Sequence, residues 1–61
     1  MSKEELQEVI QTGYDVWNGE YQKLVSWLNK PCKAMGGKKP IEYSKQEIID
    51  EMMRIEYGIF S

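Results

Sequence analysis

Cys32 is the only cysteine of this chain, and it stands between Lys30 and Lys33, whose charges would favour a thiolate. Catalysis by a thiol also needs a base, and the sequence contains no His. Cys32 therefore reads as a loop cysteine of no mechanistic consequence. Met35-Gly36-Gly37-Lys38-Lys39 sets two glycines before two cations, which is the composition of a phosphate cradle. A Walker loop, however, spaces its glycines apart, follows its lysine with Ser or Thr, and lies between a strand and a helix. Here the glycines are adjacent and Lys39 precedes Pro40, so a tight turn is the better reading. Glu47, Asp50 and Glu51 gather carboxylates as acid–base or metal chemistry would. In the first turns of a helix such residues also suit the positive end of its dipole, and they read as solvated charges. Arg54 and Tyr57 are types favoured where proteins bind proteins, and a cation near a helix C-terminus also suits the dipole. These groups do not combine into a catalytic constellation. A binding protein without cofactor or metal is expected, not an enzyme.

The elements that must position these residues are helical. Ser2 with Glu5 fits a capping box, and Leu6, Val9, Ile10, Gly13, Tyr14 and Trp17 then recur at steps of three and four along one face. Asn18-Gly19 ends this run, and Gly13 either permits close packing or divides the helix. A second helix fits Glu20 to Asn29, with Tyr21, Leu24, Val25 and Leu28 on one face, Trp27 beside it, and Pro31 as its stop. Residues 30 to 43 are punctuated by Pro31, Gly36, Gly37 and Pro40 and keep no period. Ala34, Met35, Ile41 and Tyr43 are apolar enough to pin this stretch to the core. Ser44 with Glu47 opens a third helix through Ile48, Ile49, Met52, Met53 and Ile55. Gly58 caps it, with Ile59 set to touch Met53. The expected fold is all-α: three helices, or four if Gly13 breaks the first, with an ordered Gly/Pro loop between the last two.

Sixty-one residues make a single domain at most, burying only about 60% of the unfolded chain's surface. Two Trp, four Tyr and one Phe argue against disorder. No apolar run reaches the roughly 20 residues of a membrane helix, the N-terminus lacks the pattern of a signal peptide, and a lone thiol suits a reducing compartment. A cytoplasmic protein is expected. Charge is uneven: Lys30, Lys33, Lys38 and Lys39 form a basic centre between two acidic flanks, and the net charge is −2. That balance argues against general nucleic-acid binding, while the basic loop could meet an anionic surface on a protein.

Taken in order, Trp27-Leu28, Pro31, Gly36-Gly37, Pro40 and Arg54-Ile55-Glu56-Tyr57-Gly58 resemble the toxin-binding domain at the C-terminus of the Xre/MbcA/ParS antitoxins. The resemblance covers about residues 20–61 well and residues 1–19 loosely. It implies a protein that neutralises a toxin of the RES or ADP-ribosyltransferase-like type. In that family the C-terminal region lies against the entrance of the toxin's NAD pocket. On this chain the role would fall to Arg54, Tyr57, Gly58 and the tail Ile59-Phe60-Ser61, with Lys38 and Lys39 of the loop as further contacts. Trp27, Leu28, Pro31, Gly36, Gly37 and Pro40 would make the fold. Antitoxins of this family usually carry an N-terminal helix-turn-helix domain, whereas residues 1–19 hold one helix at most. DNA binding is therefore not carried over.

Two other classes fit the same residues less well. A self-associating module would use the Met-rich and aromatic faces as a dimer core, and an inhibitor could also form a homodimer. A nucleic-acid adaptor would use Lys30, Lys33, Lys38 and Lys39 with Trp27, and its binding would weaken steeply with salt.

Overall fold

Ser2 and Glu5 open the first helix. The Glu5 N–H donates to Ser2 Oγ (3.2 Å), and the Ser2 N–H donates to Glu5 Oε1 (3.0 Å). A computed structural model describes residues 1–58 and contains three α-helices: α1 (Lys3–Val16), α2 (Tyr21–Leu28) and α3 (Lys45–Tyr57). Ile59, Phe60 and Ser61, and with them the expected Ile59–Met53 contact, lie outside the described residues. The capping box has an electrostatic signature. Hydrogen bonding from the Ser2 backbone, then from its hydroxyl, holds the Glu5 carboxyl below the ordinary value of 4.5. A carboxyl with a lowered folded pKa stabilises fully above its unfolded value, and that contribution is lost as pH falls through the folded one. We expect the first turn of α1 to loosen on acidification below about pH 4. In an NMR titration, Ser2→Ala, which removes the hydroxyl and keeps the backbone donor, should move Glu5 part of the way back toward 4.5; an unchanged Glu5 midpoint would mean that the hydroxyl takes no part in the box.

Gly13 does not divide α1. The helix runs through it, and the missing side chain admits Leu24 of α2, which is fully buried. After Trp17 the chain turns by a Schellman closure. The Gly19 N–H donates to Tyr14 O (2.7 Å) and the Asn18 N–H to Asp15 O (3.3 Å), with φ of +53° at Asn18 and +80° at Gly19. Asn18 takes the first left-handed position, one residue before the glycine expected to close the helix.

α2 stops at Leu28, ahead of Pro31, where the Asn29 side-chain amide donates to Val25 O (2.9 Å). The stretch that follows is more regular than its composition predicts. It contains two 3-10 turns, Lys33–Met35 and Pro40–Glu42. Its first half closes into a ring, with the Cys32 N–H donating to Lys38 O (3.0 Å) and the Gly37 N–H to Cys32 O (2.8 Å). Gly36 and Gly37 take φ of +109° and +90°, and Gly36 lies where a Cβ would come within 3.0 Å of the Tyr43 hydroxyl. Pro40 is fully buried, and Ile41 and Tyr43 pack against the core. Ala34, expected to pin the loop, is exposed.

Ser44 caps α3 through the Glu47 N–H (3.3 Å) and is bonded back by the Glu47 carboxylate. Val9, Leu24, Leu28, Ile48 and Met52 form the core, flanked by Ile10, Val16, Trp17, Trp27, Ile41, Tyr43 and Ile49. α1 packs chiefly on α3, while α2 lies on α1 and on the Pro40–Glu42 turn. The apolar stripes are narrower than periodicity predicts. Leu6, Tyr14, Tyr21, Val25 and Ile55 remain exposed, because each helix is covered only along the line where its neighbours meet it.

Candidate partner-binding site

α3 ends where Gly58 takes φ of +63° and its N–H donates to Arg54 O. One turn back, the Arg54 side chain is 62% exposed, and its Nη1 lies 3.8 Å from Glu51 Oε1. Glu51 itself is buried, at 8% exposure. This corrects its reading as a solvated charge on the helix face. Glu51 falls in the row with Ile48, Met52 and Ile55, and so on the inner side of α3. That position was the sequence signal for it.

Ala34 and Met35 of the first 3-10 turn meet Glu47, Asp50, Glu51 and Arg54 across a cleft of about 270 Å³. The loop thus reaches Arg54 through Ala34 and Met35, a pairing that sequence reasoning missed. Lys38 and Lys39 do not line this cleft. Both are exposed, and the Lys39 N–H is engaged by the Glu42 carboxylate (3.0 Å). Tyr57 is 70% exposed at the end of α3. Arg54 and Tyr57 therefore present a cation and an aromatic ring from the same end of one helix, beside an acidic cleft.

The residues read as structural divide in their roles. Leu28 and Pro40 are buried and Pro31 is exposed. Trp27 is half-buried with its ring centroid 5.3 Å from that of Trp17, the planes tilted by 43°. These two rings, with Gln22, Lys23, Ser26 and Lys30, line a second cleft of about 360 Å³. Among the described residues no three His, Cys, Asp or Glu side chains are placed to hold a metal ion, and no helix is long and apolar enough to cross a membrane.

The geometry therefore offers exposed binding groups at one end of a small helical scaffold. A model of the antitoxin Xre/MbcA/ParS C-terminal toxin-binding domain matches residues 12–58. This chain belongs to that family. The match takes in the Gly13–Leu24 contact, both clefts, Arg54 and Tyr57, but it begins after Val9, which this chain buries completely. Among similar proteins, Antitoxin Xre of Yersinia enterocolitica (serotype O:8 / biotype 1B, strain NCTC 13174 / 8081) is 29% identical over 58 residues. That alignment covers 87% of this chain and 39% of the relative, so the chain spans about two-fifths of that antitoxin's length. No solved structure matches the chain. Membership in the toxin-binding family suggests an antitoxin role that rests on binding.

Proposed function

We propose that this chain is an antitoxin domain that inhibits an NAD-using toxin of the RES or ADP-ribosyltransferase-like type. It does so by covering the toxin's NAD pocket with the end of α3 and the residues that follow. The observation that carries this reading is the presentation of Arg54 and Tyr57, at 62% and 70% exposure, on the last turns of the terminal helix. A guanidinium can make paired hydrogen bonds to carboxylates of a pocket mouth, and an aromatic ring fills apolar space beside it. Inhibition then needs occupancy alone, and the domain supplies no group to the reaction. Lys38 and Lys39 are supporting contacts through their charge.

The test is co-expression with the toxin encoded by the adjacent reading frame. The full chain should restore growth, and a chain ending at Ile55 should not, while both remain helical by circular dichroism. Equal protection by the shortened chain, which keeps Arg54, would remove Tyr57 and the residues after it from the mechanism.

A further inference from the structure

Trp17 and Trp27 leave a cleft that the fold itself does not fill. At about 360 Å³ it is at the small end of ligand-sized clefts, which run from about 300 to 1,000 Å³, and it suits a side chain better than a whole cofactor. Its floor is the pair of tilted indoles, half-buried against the core. Its rim holds Lys23 and Lys30, and none of the residues lining it is acidic. In a chain of net charge −2, an aromatic floor with an all-cationic rim runs against the overall balance.

We propose that this cleft is a second protein-docking site, which takes an acidic segment presenting an apolar side chain between two carboxylates. Lys23 and Trp27 fall one turn apart on α2, and Lys30 lies two residues beyond its end, so one cation comes from the helix and the other from the chain that leaves it. Both lysines are exposed, while Trp27 packs against the core that holds Leu24 and Leu28. A partner segment with an acid on each side of an apolar residue would pair its carboxylates with the lysines and set the apolar side chain on the indoles. Trp is a preferred hot-spot residue for such a contact.

Lys23 already meets Glu20 at 3.1 Å, but the two side chains are 63% and 57% exposed, and so screened a pair gives way at little cost. Single-stranded nucleic acid could also stack on tryptophan beside lysine. A chain of net charge −2 offers no broad cationic face for a run of phosphates, whereas the two lysines at this rim match two carboxylates, which favours the protein segment. The site is independent of Arg54, so its success or failure leaves the reading of the α3 end untouched.

The probe is a soluble peptide with two adjacent Leu residues flanked by Glu on both sides, added to the ¹⁵N-labelled chain. The expected result is a saturable shift of both indole Nε1–H signals. Lys23→Glu with Lys30→Glu should weaken the peptide about tenfold. Ser26→Glu, at an exposed position lining the cleft, should weaken it too, and Ala in place of Leu in the peptide should abolish the shifts. None of these substitutions touches the core. No shift at millimolar peptide, or an equal response to the peptide with Lys for Glu, would overturn the proposal. So would a larger shift with oligothymidine.

Discussion

Gly13→Ala is expected to destabilise this domain by about 1–2 kcal/mol, in the opposite sense to helix propensity. In an open helix interior Ala is favoured over Gly by about 1 kcal/mol. Here the added Cβ would fall on Leu24 Cδ1, with Cδ2 at 3.0 Å and Cγ at 3.1 Å. Those atoms belong to the end of a flexible side chain, which in a loose site would step aside. Leu24 has 0% exposure, however, and nowhere to go without parting α1 from α2. Overpacking of a tight core costs about 1–3 kcal/mol, and the close approach places Gly13 toward the upper end. The total for a chain of this length is about 3–9 kcal/mol, so the loss is a large share of it.

The same contact predicts a reversal of sign. Leu24→Ala alone should cost about 2–5 kcal/mol through the cavity it leaves. With Leu24 shortened, Gly13→Ala should become stabilising by up to about 1 kcal/mol. The four proteins form a cycle measurable by urea unfolding, with an osmolyte to keep the weakest of them folded. If Gly13→Ala stabilised the parent chain, the packing described for α1 and α2 would be wrong.

Arg54→Ala should abolish neutralisation of the toxin while leaving the fold almost as stable as before. The ion pair with Glu51 is long at 3.8 Å and its guanidinium is mostly in solvent, so its loss should cost about 1 kcal/mol or less. Part of that cost is the repulsion of Glu51 by Glu47 and Asp50, which share its cleft. Glu51→Gln removes this term, and in that background Arg54→Ala should leave stability unchanged. Binding should respond differently. An interface arginine of hot-spot rank costs at least about 2 kcal/mol when truncated, roughly a 30-fold loss of affinity, and Glu51→Gln should not restore it. Recovery of neutralisation in the double variant would mean that Arg54 acts only by offsetting Glu51, and its assignment as a toxin contact would fall.

The features legible in the sequence are those whose cause lies within four residues. Ser2 with Glu5, Ser44 with Glu47, and Gly58 each form the local geometry that their types and spacing predict, because a cap is a bond between near neighbours. The order from Trp27-Leu28 to Arg54 and Gly58 also pointed to the family that the match over residues 12–58 shows. Burial was less legible. Periodicity placed Leu6, Tyr14 and Tyr21 on inner faces, yet which part of a stripe is covered depends on where the other helices cross it. Glu51 was misread for a related reason: its charge suggested solvent, while its place between Ile48 and Met52 put it indoors. The cleft that joins Met35 to Arg54 could not be read at all, since it depends on how the Cys32–Lys38 ring folds back against α3.

The strongest helix contact in this domain is between α1 and α3, the first and last helices of the described chain. During synthesis, Val9 has neither Ile48 nor Met52 to meet until α3 leaves the ribosome. A nascent chain halted in the Gly/Pro loop holds α1 and α2 around half a core, which is too little apolar burial to hold them together. Folding is therefore deferred until α3 has emerged. A product interrupted before α3 would be open to proteases and would present neither Arg54 nor Tyr57 to a partner.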